Sequence, residues 1–358
     1  MIHTRLCDLL EIRHPIIQGG MGPNDTSDLA IAVCRAGGLG TLSSSRPGDP
    51  YLETRRQIQK VKDQTDTTFC VNQAVKSPDA ADRMRALLDE RRSDPEVRRR
   101  LRVVITSAGD PRVYAEALRE SGAIHIHVVP TVYHARKAEQ AGVAGLIAEG
   151  YESGGHVAYE PVHTLVLVPA VARSTSLPVV AAGGICDGAG LAAALALGAC
   201  GVQMGSRFYL SREATFAPDP IKQALFGARE TETTIVPGVY GENRHWRNPF
   251  TDGLHAAVRR GATQGEIETM KHEAEAARYA GRTEEAAVPI GMVIGRIDEA
   301  LSAREIIEGM VAEAERIIAG LQGNVRVKGA GGNRAATVRE RGIGRKRGRV
   351  ECLRPGGR

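Results

Sequence analysis

No run of apolar residues in this sequence approaches the roughly 18 to 20 that a membrane helix requires, so an α-helical membrane protein is excluded. The N-terminal MIHTRLCDLLEI carries Arg5, Asp8 and Glu11 where a secretion signal needs an uninterrupted apolar stretch. Export is not expected. The six cysteines are scattered, with no CxxC pair and no metal-ligand spacing to histidine. They read as reduced, packed thiols of a cytoplasmic protein, with neither a disulfide framework nor a metal site. Neither a Walker-type GxxxxGKS/T loop nor a strand-linked GxGxxG occurs, which leaves nucleoside triphosphate and Rossmann sites unsupported.

The formal charge of +5 is unevenly spread. Residues 324–358 hold eleven Lys and Arg against two Glu, a net of +9 that leaves residues 1–323 at −4. The body of the chain is therefore mildly acidic. Its tail is rich in Gly and Arg without apolar periodicity, so it is expected to be disordered and to stand apart from the fold. Basic stretches interleaved with aromatics are missing elsewhere, and nucleic acid is disfavoured as a partner.

What the sequence does contain is a repeated unit: a short apolar run ending in small or polar residues, followed by an amphipathic helical stretch. Eight such runs occur, HPIIQGG, GGLGTLSS, TFCVNQ, RVVITS, AIHIHVVP, AGLIAEG, LPVVAAGG and CGVQMGSRF. Strands apolar on both faces and joined by helices pair in parallel with right-handed crossovers. The even count favours closure into an α/β fold of the (β/α)8 TIM-barrel type over a doubly wound open sheet. Residues 1–320 are read as this domain, and 210–290 as a helical cap, because good strand runs stop after 209 and TTIVPGVYGENRHWRNPF looks irregular. A C-terminal helical extension completes the barrel.

In such a barrel the chemistry sits where the strands end. Those ends are rich in residues that let a backbone approach a ligand, and the seventh and eighth are the sharpest. Gly183 and Gly184 precede a helix, and Gly205 and Ser206 leave the last strand, the usual place for a phosphate held by backbone N–H groups and a helix N-terminus. Any one of these glycines could be a plain turn. His156, after two glycines in EGYESGGH, is the candidate for proton chemistry. His125 and His127 read as barrel filling, His163 as a cap or lining residue, and Glu149 and Glu152 could face helix or solvent.

Taken together, HPIIQGGMG, AGGLGTL, the FxVN element, SAGDP, EGYESGGH, PVVAAGGICDG, ALGACGVQMGSRF and RNPFTD resemble the nitronate monooxygenase family, which includes FMN-dependent enoyl-acyl-carrier-protein reductases. The resemblance spans about residues 1–320 and implies FMN as cofactor. It places Gly20, Met21 and Asn72 along the isoalloxazine and ribityl chain, and Glu149 and Gly154 against the flavin from the sixth loop. Gly183, Gly184, Gln203, Met204, Gly205 and Ser206 would hold the phosphate side, and His156 matches the catalytic histidine. Three departures stand out. Cys70 replaces a usual glycine and should crowd the third strand end, Val157-Ala158-Tyr159-Glu160 replaces the usual continuation after the histidine, and Glu149 stands where monooxygenases often carry glutamine. The implied activity is oxidation of a nitronate or nitroalkane by O2 to a carbonyl compound and nitrite. The alternative is NAD(P)H-dependent reduction of an enoyl thioester or quinone, and a homodimer stays open as the assembly.

Overall fold

The computed structural model describes residues 2–44, 48–238 and 241–324. The basic tail lies outside the described residues except for Asn324, which ends the last helix, Ala303–Asn324. Each of the eight sequence runs forms a strand. In chain order these are β1 (Ile16–Gln18), β2 (Gly40–Leu42), β3 (Phe69–Ala74), β4 (Leu101–Ser107), β5 (Ile124–Val129), β6 (Gly145–Glu149), then, after the short β7 (Gly155–His156), β8 (Val179–Ala182) and β9 (Gly201–Met204). The parallel sheet runs β1-β9-β8-β6-β5-β4-β3-β2. It closes where Gln18 N–H donates to the Leu39 carbonyl at 3.0 Å and Leu39 N–H to the Ile16 carbonyl at 2.9 Å. The result is a barrel rather than an open sheet.

Closure divides the apolar residues into an inside and an outside, because successive strand side chains point to opposite faces. Ile17, Cys70, Val103, Ile105, Ile126, Ile147 and Val180 fill the inside, together with Leu6, Leu10 and Ile12 from the N-terminal segment. That segment is the helix Arg5–Leu10, which starts at Thr4; the Thr4 hydroxyl accepts from Leu6 N–H and donates to the Cys200 carbonyl. The bottom of the barrel is thereby plugged, and only the top, where the strands end, is open. Cys70 belongs to this filling. Its thiol lies 3.1 Å from the Thr41 hydroxyl, and burial pushes its pKa far up, so it does not crowd the mouth as the sequence suggested.

The segment beyond β9 differs from the sequence reading in one respect. Inside the stretch read as irregular, β10 (Thr233–Pro237) and β11 (Glu242–Trp246) form an antiparallel hairpin, and β11 pairs in turn with β7. Thr233, Thr234, Ile235 and Val236 are β-branched residues suited to a pleated surface. The helix Pro249–Arg259 packs on β10 and on the helix Gln264–Tyr279, while Asp219–Leu225 packs through Ile221 and Leu225 with Tyr209, Leu210 and Ile294. Val236 of β10 packs with Leu254, Ala257 and Ile267, so the cap has a small core of its own.

Candidate active site

The strand ends and the cap enclose one cavity of about 1320 Å3. His156 and all eleven residues that the family resemblance assigned to the flavin line it. They divide among three walls.

On the β8–β9 wall, Gly183 and Gly184 have φ of 91° and 71°, conformations that side chains rarely adopt. A Cβ on Gly183 would also stand 2.8 Å from the Gly150 carbonyl oxygen. Gly205 is different: its φ is −95°, and an added Cβ would meet no protein atom within 4 Å. Protein packing does not require a glycine there. Ser206 Oγ accepts from Gly291 N–H at 2.9 Å, which leaves its own proton free to be donated. The N–H groups of Gly184, Gly205 and Ser206 donate to no protein acceptor among the described residues. The helix after β8, however, offers no anion site. Asp187 caps it by accepting from Gly190 N–H at 2.9 Å, and Glu313 accepts from Gly188 N–H at 2.8 Å. Two carboxylates occupy the helix N-terminus that the sequence reading gave to a phosphate.

On the β1–β3 wall, Gly20 lies so close to Asn72 that any Cβ would collide with the amide side chain. Met21 N–H is held by the Ser43 hydroxyl at 2.8 Å. Met204 is buried and holds Gly19 N–H through its carbonyl at 2.8 Å. Asn72 Oδ1 and, on β9, Gln203 Oε1 are buried acceptors without a partner among the described residues. Unmet acceptors at these depths are costly unless a ligand or water meets them.

The third wall joins β6 to the cap. Burial pushes the Glu149 carboxyl up to about 7, against a smaller opposing effect of the Ser153 hydroxyl. Gly154 rests directly on the cap; a Cβ there would fall 2.7 Å from Ile290 Cα and 2.5 Å from Gly291 N. Glu152 is structural, since its carboxylate accepts from Thr164 N–H at 3.0 and 3.1 Å and from the Thr164 hydroxyl at 2.9 Å. His163 is exposed, its ring against Tyr151. His125 and His127 fill the barrel, both sharing the Thr106 hydroxyl at 2.7 Å, although His127 also reaches the cavity.

His156 stands on β7 opposite Asn243 of β11. Desolvation, and secondly the Lys271 ammonium, hold its imidazole below the usual pKa, so it is neutral near pH 7. Next to it His245 is buried and pushed down to about 3, through desolvation and the charges of Arg278 and Lys271. His245, Lys271 and Arg278 all line the cavity and none was singled out in the sequence. His245 sat in GENRHW, which has no helical period and too many polar residues to read as a buried strand, and Lys271 and Arg278 sat in the helix Gln264–Tyr279, where they read as ordinary charged helix positions.

A flavin mononucleotide fits this donor set. The unbonded N–H groups, the Ser206 hydroxyl and the open space at Gly205 suit a phosphate, and the orphaned amide oxygens suit the N–H edge of a polar ring.

The family profile described as nitronate monooxygenase matches residues 3–313. A Rhodococcus jostii protein, (3aS,4S,5R,7aS)-5-hydroxy-7a-methyl-1-oxo-octahydro-1H-indene-4-carboxyl-CoA dehydrogenase, is 31% identical over 354 residues, covering 87% of this chain and 96% of its own. The nitronate monooxygenase of Pseudomonas aeruginosa is 36% identical over 276 residues, covering 67% of this chain and 78% of its own. Among solved structures, FabK from Thermotoga maritima superposes with a TM-score of 0.83 at 36% identity, over 91% of this chain and all of that one.

Proposed function

The chain belongs to the nitronate monooxygenase family of FMN-dependent oxidoreductases, and from that membership we propose that it reduces an enoyl thioester with NAD(P)H. The observation that carries this reading is the cavity. Small-molecule sites occupy about 300–1,000 Å3, so a cavity of about 1320 Å3 holds a flavin and leaves room for a long second ligand. A nitronate of a few atoms would leave most of that room to water. The Rhodococcus jostii relative acts on a CoA thioester by its name.

Gly183, Gly184, Gly205 and Ser206 would hold the flavin phosphate, with Gly20, Met21, Asn72, Glu149, Gly154, Gln203 and Met204 along the rest of the molecule. FMN, when bound, supplies hydride transfer. Saturating a C=C bond takes a hydride at one carbon and a proton at the other, and the proton is the protein's share. A carboxyl that titrates near 7 is the suitable donor, which assigns the proton to Glu149. Neutral His156 is suited to donate a hydrogen bond to the thioester carbonyl, where negative charge develops as the hydride arrives. Burial of the described cysteines as free thiols suits a cytoplasmic setting.

Anaerobic mixing of flavin-loaded protein with NADPH or NADH is expected to bleach the flavin, and crotonyl-CoA to restore its colour. A second reading, nitronate oxidation with O2, draws support from the positive charges of Lys271, beside His156 and His245, and of Arg278, beside His245, which suit a small anion. Release of nitrite from propyl-2-nitronate, by protein that neither nicotinamide bleaches, would replace the first reading with the second.

Gly205→Val tests the cofactor assignment separately. Since a Cβ at this position has no protein atom within 4 Å, the apoprotein should keep its Tm, while affinity for FMN falls about 100-fold or more from the lost approach of phosphate to backbone. An equal drop in apoprotein Tm would show that the glycine serves the fold instead.

A further inference from the structure

We propose that Arg83, with Lys76 in the turn leading to its helix, seats a phosphate group of the second ligand on the side of the barrel opposite the flavin phosphate. Arg83 lies in the first turn of helix Ala80–Ser93, which follows β3. It is only 2% exposed, yet it makes no ion pair and no side-chain hydrogen bond among the described residues, and its Nε and Nη2 are fully enclosed without an acceptor. The nearest carboxylate, Asp79, is engaged by the Ser77 hydroxyl. Burial lowers the guanidinium pKa to about 10, which still leaves a full positive charge at neutral pH.

An unpaired buried cation is strongly unfavourable, and arginines inside proteins are ordinarily matched by acceptors. Arg91, two turns along the same helix, shows the ordinary case: it donates to the carbonyls of Arg98, Leu101 and Ser121. Arg83 instead opens onto the cavity, as does the exposed Lys76, which has no ion pair among the described residues.

The strand order decides whose phosphate this is. Around the barrel, β3 and β4 lie across from β8 and β9, so one phosphate group cannot serve both walls. A planar fork beside a mobile ammonium suits a phosphate or pyrophosphate. Coenzyme A and a nicotinamide dinucleotide both carry one, and this inference rests on the thioester-reductase reading only in that such a ligand is then required.

The test is binding, read without turnover, so a protein inactive on enoyl thioesters still answers it. Calorimetry on flavin-loaded protein would measure Kd for inorganic pyrophosphate, coenzyme A and NADPH in wild type, Arg83→Met, Arg83→Lys and Lys76→Ala. Arg83→Met is expected to weaken pyrophosphate and one of the two larger ligands about 30-fold or more, with Arg83→Lys recovering part and Lys76→Ala losing less. The ligand that weakens identifies the source. FMN affinity should be unchanged, and the Tm of ligand-free Arg83→Met equal or higher, since an uncompensated charge has been removed. Unchanged affinity for all three probes overturns the proposal. A lowered Tm would make Arg83 structural, and weakened FMN would make it a flavin contact; either result also overturns it.

Discussion

His156→Ala is expected to lower kcat for thioester reduction about 10²- to 10³-fold while the protein still purifies with its flavin. The side chain is delivered by backbone pairing: β7 is two residues long and is held in register by Asn243 and Arg244 of β11. Truncation at Cβ therefore removes the imidazole without moving the strand. The same argument separates two roles for the ring. If neutral His156 acts as a hydrogen-bond donor to the developing oxyanion, His156→Asn or His156→Gln should recover part of the loss, because an amide N–H can take over the donation. If the ring acts as a base, neither amide can help. Measurement of kcat for Ala, Asn and Gln variants decides between them, and full activity in the Ala variant would remove His156 from the chemistry altogether.

That a histidine and glycine-rich strand ends could be found in the sequence at all follows from how barrels place their chemistry. The eight runs were legible because parallel strands are buried on both faces and appear as continuous apolar blocks such as AGLIAEG and LPVVAAGG. Gly183 and Gly184 were legible because left-handed backbone selects glycine. The hairpin Thr233–Trp246 was not, because its strands are half-exposed and their partners are distant: Arg244 pairs with Gly155, nearly ninety residues earlier in the chain. His245, Lys271 and Arg278 gain meaning only once that pairing brings them to the cavity. Arg83 was hidden for another reason. Its sequence context, DRMRALLDERR, reads as a solvated helix face, and only burial without an acceptor shows that this guanidinium differs from its neighbours, the buried Arg91 included. The capped helix after β8 was the reverse case. The Asp187 of ICDG stood in plain view, and its carboxylate already excluded a phosphate from that helix end.

Glu149→Gln should cost activity about 10²- to 10³-fold and, more tellingly, change its dependence on pH. The carboxyl is moved from its ordinary 4.5 to about 7 by burial, so in wild type the neutral, proton-donating form declines as pH rises through about 7. Reduction by the wild type is expected to fall along that limb, whereas the glutamine variant, with no proton to give, should be slow and flat across it. Stability follows the same titration with a definite sign. The folded state holds this proton more tightly than the unfolded chain, so the wild type loses stability as pH climbs from about 4.5 and has lost the whole contribution once it passes about 7. Glutamine cannot ionise; its Tm relative to wild type should therefore be higher at pH 8 than at pH 5. A limb near 7 that persists in Glu149→Gln would transfer the titration to another group. The Tm comparison would still stand, because it reports the burial of the carboxyl whether or not that proton reaches substrate.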